Sequence, residues 1–341
     1  MPVRVGIPRA LYYHRYRVLW HVFLTELGAE VLVSEPTSKQ IMDAGISCCV
    51  NEACLPVKIF HGHMESLKTQ VDRLFVPRLT SISRDEYVCP KLGGLPDMLR
   101  SSIRDLPPLL DHEVNLRKSP ESSWQSAKAI GKELCSDPYR VRRAYEMALT
   151  VYRGVRRMQI SGMLNLGSQE REQVCSPKFR IAMLGHSYLL NDPYASMNIL
   201  KKLKSKGVKL ITTEEMDPRI IREQLHCNMK QPFWNHAREI MGSLSFLLQL
   251  GILDGVMYIT AFGCGIDAFV EDMAARMAKG FGSGIPWIRI VLDEHSGEAG
   301  TDTRLEAFLD MMEGRKSHAH HFSPNGEYLY PCESHAGRFG P

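Results

Sequence analysis

This 341-residue sequence predicts an α/β protein built from two lobes with parallel sheets, and three observations carry that expectation. Short apolar strands alternate with amphipathic helices from the first residues onward, and repeated βα units with short turns build a parallel sheet with helices on both faces. The strand signal fades between residues 101 and 175, then resumes with the same rhythm. The chain is also long for one hydrophobic core and well sized for two domains with connections.

Residues 3–7 read as the first strand. A helix follows over 15–27, where Val18, Leu19, Val22, Phe23 and Leu27 recur at helical spacing, and Gly28 ends it. A second strand spans 30–34 and a short helix 38–44. The run ISCCV suggests a strand around Cys48 to Val50, ahead of a helix over 57–69 and a strand over 73–77. Pro107-Pro108 then breaks the chain, and Asp137-Pro138 opens a long helical stretch with Val141, Ala144, Met147, Val151 and Val155 on one face. Strands resume at 179–184, 208–212, 255–260 and 287–292, with a long helix over 233–250 among them. The resulting division is an N-terminal lobe over 1–100, a helical connecting segment over 101–175, a C-terminal lobe over 176–314 and an irregular tail over 315–341.

Composition narrows the function classes. The net charge of +4 comes from 42 basic and 38 acidic residues with no long basic run, so no nucleic-acid partner is expected. The opening MPVRVGIPRALYYHRYR reads straight into a strand with no signal-peptide core, and no apolar run is long enough for a membrane span. A cytoplasmic protein with no membrane association is expected. In that setting nine cysteines are poor candidates for a disulfide framework. Metal ligands, reactive thiols and inert buried thiols remain as readings.

Three of the nine stand apart. Cys54 in EACLPVK, Cys89 in YVCPKLGG and Cys264 in FGCGIDAF each sit where a strand gives way to a helix, flanked by proline or glycine. Ligands of open α/β sheets collect beyond the carboxyl ends of the strands, so three such thiols can converge on one centre. Three thiolates leave one position open on a [4Fe-4S] cube, as a reactive cluster requires. A thiolate at a helix start also gains from the unpaired N–H groups there. Against this stands the plain alternative of small apolar side chains filling turns. Alternation along a strand points Cys48 and Cys49 to opposite faces, so at most one of them can join Cys54. Cys135, Cys175, Cys227 and Cys332 lack comparable flanks and read as ordinary thiols.

Other motifs are weaker. His61 and His63, two apart on a helix, cannot share a face; one can point to the interlobe cleft, and a surface or capping residue is the leading reading. Asp293-Glu294-His295 follows a strand and can line a cleft, and Thr301, Asp302 or Thr303 can cap a helix carrying Arg304 to Met311. There is no GxxxxGK[ST] and no GxSxG, and the glycines at 280, 282 and 284 precede a strand instead of following one.

The blocks VGIPRALYYHRYRVLWHVFLTELGAEV, CLPVKIFHGHMESL, VDRLFVPRL, YVCP, FGCGIDAF and DEHSGEAGTDTRLEAF, spread from Val5 to Phe308, resemble the acyl-CoA dehydratase activase-related proteins. These are similar to the D-component of 2-hydroxyglutaryl-CoA dehydratase and to the wider benzoyl-CoA reductase and double-cubane cluster group. The resemblance implies two Rossmann-like (flavodoxin-like) lobes that hold an iron–sulfur cluster through cysteines of both, here Cys54, Cys89 and Cys264. It further implies reduction by an ATP-hydrolysing activase, a homologous subunit or homodimer as partner, and an acyl-CoA substrate. The reaction class is then a 2-hydroxyacyl-CoA dehydratase-like lyase or an ATP-dependent reductase component. For a larger, double-cubane centre, Cys48 or Cys49 is the reserve ligand. The competing expectation is a scaffold or regulatory partner of the activase with a structural metal centre. A metal-free cofactor-binding protein is the third.

Overall fold

The computed structural model describes residues 1–164, 177–228, 232–281 and 284–319. Cys175, Cys332, Gly282, Ser283 and most of the expected tail lie outside them. The chain divides into two compact units, Met1–Ser296 and a second beginning at Gly297.

The first unit holds both sheets. Its first half runs β1 (Arg4–Ile7), α1 (Tyr13–Glu26), β2 (Glu30–Val33), α2 (Lys39–Cys48), α3 (Leu55–Leu67), β3 (Arg73–Phe75), β4 (Arg78–Ser81), α4 (Pro90–Gly93), α5 (Leu95–Ser102), β5 (Leu109–Leu110) and β6 (Glu113–Asn115). Then come α6 (Ser122–Leu134) and α7 (Pro138–Leu164). The second half contains β7 (Phe179–Gly185), α8 (Ser187–Leu190), α9 (Ile199–Ser205), β8 (Val208–Thr212), α10 (Pro218–Asn228), α11 (Asn235–Leu250), β9 (Gly255–Ala261), α12 (Gly265–Gly280) and β10 (Trp287–Leu292).

Both four-stranded sheets are parallel throughout, ordered β2-β1-β3-β5 and β8-β7-β9-β10. Counted within each lobe the order is the same, first strand between second and third, which makes both lobes Rossmann-like. Each sheet therefore has a switch point, between β1 and β3 and between β7 and β9, where crossovers leave to opposite sides and a crevice opens. Strand β9 is buried at every position, as a central strand covered on both faces must be. The lobes have separate cores, one around Val5, Ile7, Phe23 and Leu110, the other around Leu184, Leu244, Val256 and Tyr258.

Three local expectations are corrected. The run ISCCV is not a strand: Cys48 ends α2 and Cys49 caps it. The helix starts at Ser38, whose hydroxyl accepts from the Ile41 N–H, and its course is fixed by packing against α3. At that crossing a Cβ on Gly45 would lie 2.0 Å from Lys58 O, and one on Gly62 1.8 Å from Ile41 O. Two backbones meet there, and that contact outweighs the β-propensity of the apolar run. Secondly, His61 and His63 are not surface residues: both are buried, because nearly the whole circumference of α3 is enclosed. Thirdly, the stretch after residue 101 does contain strands, β5 joining the first sheet and β6 pairing with β4. Helix α7 packs on α1 and sends Arg156 to the carbonyl of Glu214, so it touches both lobes.

In the second unit, α13 (Glu298–Ala319) begins earlier than the sequence suggests. Thr301, Asp302 and Thr303 thus lie inside the helix, and the threonine hydroxyls bond back to Gly297 O and Ala299 O. Among the described residues, no helix is long and apolar enough to cross a membrane.

Candidate metal centre

The lobes face one another along a polar seam. Arg15 of α1 meets Glu239 of α11 at 2.6 Å, and Lys58 of α3 pairs with Glu294 after β10. Asn235 Nδ2 donates to Glu86 Oε1 at 2.8 Å, the Asn235 N–H donates to Tyr87 O, and the Tyr87 N–H to Phe233 O. The segment leading into Cys89 is thereby pinned to the second lobe.

Cys54, Cys89 and Cys264 each occupy the N-cap of a helix, α3, α4 and α12 respectively. Proline in the first turn fixes the helical φ at the first two. At the third, Gly263 takes φ +75, which turns the chain sharply off β9. A Cβ on Gly263 would stand 3.9 Å from the Cys54 Cα, so the Cys264 turn of one lobe abuts Cys54 of the other. All three thiols are half-buried. No sulfur makes a tight capping hydrogen bond, yet the N–H groups of Val57, of Lys91 and Leu92, and of Asp267 lie near enough to favour the respective thiolates.

The three sulfurs also feel one another. Burial, then Asp267, then Cys54 and Cys89 push the Cys264 thiol up to about 12. Burial raises Cys54 as well, with Cys89 adding to it and the Lys91 ammonium opposing. The Cys264 turn thus lies beside Cys54, and the charges of Cys54 and Cys89 reach Cys264. Cys49 is within reach of Cys54 charge, whereas Cys48 looks toward Glu65 and Lys68. Cys135 caps the far end of α6.

Beside Cys264 lies a group that the sequence reading did not single out. His186 follows β7 directly, His236 is in the first turn of α11, and Asp267 is in the first turn of α12. One ligand atom from each lies within 4.8 Å of the others. Their nitrogens approach the same carboxylate oxygen, His186 Nε2 at 3.4 Å and His236 Nε2 at 3.3 Å from Asp267 Oδ1. The carboxylate is fully buried and held from behind, by Tyr258 OH to Oδ1 at 3.1 Å and Thr260 Oγ1 to Oδ2 at 2.9 Å. Cys264 Sγ is 3.9 Å from His186 Nε2. Burial lowers His186 to about 3 despite Asp267, so the imidazole is neutral and the contact is not an ion pair. Burial works to raise Asp267, but the two imidazoles and Thr260 more than offset it and keep the carboxyl below its ordinary range. Two signals pointed here: a histidine at a strand's carboxyl end, and an aspartate three residues after Cys264. His236 had none.

A cavity of about 1150 Å³ opens between the lobes and α7. Its wall combines Trp20, Tyr16 and Tyr152 with Arg15, Arg84, Arg153, Arg222 and Arg238. Burial chiefly raises the Tyr12 phenol, with Tyr16, Glu239 and Cys89 adding to it and Arg15 opposing.

A two-lobed α/β protein with parallel sheets, half-buried cysteines at helix starts and a histidine–histidine–aspartate group is the class these features define. The family model for the CoA enzyme activase uncharacterised domain (DUF2229) matches residues 4–216, more than half of the chain, and the protein belongs to that family. The match takes in Cys54, Cys89 and His186 and stops short of His236, Cys264 and Asp267. No curated protein matches the chain.

Proposed function

We propose that the chain is an iron–sulfur protein of the 2-hydroxyacyl-CoA dehydratase type, receiving low-potential electrons from an ATP-hydrolysing activase and passing them on or using them on an acyl-CoA. The observation that supports this is that Cys54, Cys89 and Cys264 each sit at a helix N-cap, two in the first lobe and one in the second, with the Cys264 thiol within reach of the charges of the other two. The donor set fits a [4Fe-4S] group: three soft sulfurs, with first-turn N–H groups near each and, among the described residues, no fourth cysteine at a helix N-cap. When bound, such a cluster supplies a low-potential electron and an iron with an open position. Around it the chain's own residues would hold the thiolates, offset negative charge with three helix N-termini and the Lys91 ammonium, and keep bulk water out with Tyr12 and Tyr188.

The cavity supports the acyl-CoA part. The lining includes aromatic rings and arginines, which suit a ligand with phosphates and flat or apolar groups; Arg15 and Arg238 face Glu239 and Glu86 there, whereas Arg84, Arg153 and Arg222 are exposed. A second reading, a scaffold for the activase with a structural metal centre, is favoured by the imidazole of His186 close to Cys264, since a protein ligand there closes the coordination.

Anaerobic purification tests the proposal. We expect about four irons and four sulfides per chain and an EPR signal on reduction. Cys264→Ser should remove all three, because it keeps the volume but loses the soft ligand, while Cys135→Ser keeps them. Stoichiometric zinc with no sulfide in the unsubstituted protein replaces the redox reading with the scaffold.

A further inference from the structure

We propose that His186, His236 and Asp267 bind a single divalent transition-metal ion of the zinc or ferrous type, set directly against Cys264 and distinct from the three-thiol centre. In a tetrahedral site with bonds of about 2.0–2.1 Å, ligand atoms stand about 3.3–3.4 Å apart. The two nitrogen-to-Oδ1 separations are 3.4 and 3.3 Å. Cys264 Sγ stands 3.9 Å from His186 Nε2 outside the group, and a water can take the fourth position.

His236 Nε2 gives the second, independent observation. This ring nitrogen is itself out of contact with solvent and stands 3.3 Å from Asp267 Oδ1 without an aligned hydrogen bond, while the side chain as a whole is 13% exposed. Buried polar atoms are nearly always satisfied, and a metal ion between nitrogen and carboxylate would satisfy both.

The supports are those of a metal site. Tyr258 and Thr260 hold both carboxylate oxygens, fixing the ligand that bears the charge. The three residues start from the ends of β7, β9 and the first turn of α11, rigid elements at the switch point where ligands of such sheets bind. The two imidazoles are stacked, centroids 3.3 Å apart and planes 14° apart. Two cationic rings would repel at that distance. An imidazole nitrogen binds a metal in the plane of its ring, so taking an ion requires the two rings to turn out of this stack.

The chemistry separates this site from the cluster. Two imidazoles and a carboxylate are harder than three thiolates, and they suit a mononuclear ion without sulfide. The proposal shares only the neighbourhood of Cys264 with the function argued above, and the test is arranged to keep the two apart. In full-length Cys54→Ser/Cys89→Ser protein, which has lost two thiols of the cluster centre, Co²⁺ is titrated under anaerobic conditions. We expect one equivalent to bind with the visible ligand-field bands of a tetrahedral ion. Adding His236→Gln or His186→Asn should weaken that binding at least about 100-fold. Histidines are chosen because Asp267→Asn risks the fold, and far-UV circular dichroism checks each variant. Metal analysis of the untreated double-serine protein tells zinc from iron. No cobalt binding in the double-serine protein overturns the site, and so does binding that both histidine changes leave intact. Loss of sulfide and EPR signal in the unsubstituted protein sinks only the cluster reading.

Discussion

His63 sits on the enclosed face of α3, with Ser34 Oγ 2.8 Å from Nδ1 and Thr37 Oγ1 3.0 Å from Nε2. The Arg9 N–H donates to Ser34, and the Thr37 hydroxyl donates to Asp192 of the other lobe. Those two bonds leave Ser34 to donate to Nδ1 and Thr37 to accept from Nε2–H, which assigns the tautomer by elimination. Burial, with His14 and Arg9 adding to it, lowers His63 from 6.5 to about 3. The folded state thus refuses a proton that the unfolded chain accepts. Stability from this residue is complete above about pH 6.5 and is lost as the pH falls toward 3. Between pH 8 and pH 5 the loss is about 2 kcal/mol. Urea denaturation at both values should show His63→Gln less stable at pH 8 and its decline flatter by that amount. An unchanged decline contradicts the assignment. The sequence placed His63 on a helix but not in the interior, because its partners Ser34, Thr37 and Asp192 come from three other segments.

At the scale of elements, α2 and α3 cross with backbone against backbone at Gly45 and Gly62. Neither glycine is in the left-handed region, so space alone excludes a side chain. Gly45→Ala should cost at least about 2 kcal/mol in denaturant, since the Lys58 and Gly62 atoms it would meet are main chain and cannot swing aside. Gly154→Ala is the counter-case: nothing lies within 4 Å on α7, and alanine should be neutral or stabilise by up to about 1 kcal/mol. Equal losses at the two positions contradict the packing argument. The same contrast explains what was legible. Strands β8 and β10 coincide with the apolar runs at 208–212 and 287–292, because long buried strands carry their own pattern. Strand β5 has two residues and β6 three, too few for any periodicity. The helical state of Cys48 depends on a partner helix that sequence spacing does not reveal. Cys54, Cys89 and Cys264 could be placed at helix starts because proline and glycine mark those turns, whereas His186, His236 and Asp267 meet only through the tertiary fold.

Across the whole first unit, the centre depends on how the lobes are held together. Lys58 is buried and its ammonium pairs with Glu294, whose carboxyl burial pushes up and Lys58 holds below the usual range. Glu294→Gln should destabilise by about 3 kcal/mol, because it strands a buried charge, while Lys58→Met with Glu294→Leu should recover much of that loss. Denaturation midpoints of the three proteins check it, and equal stability of the single and double variants contradicts it. The most direct test of the cross-lobe centre is the reduced EPR spectrum, with iron and sulfide counts, of anaerobically prepared Cys89→Ser and Cys264→Ser. One residue belongs to the first lobe and the other to the second, so both substitutions should abolish the same signal. A wild-type spectrum and full iron in either variant would show that the cysteines of the two lobes do not hold one cluster.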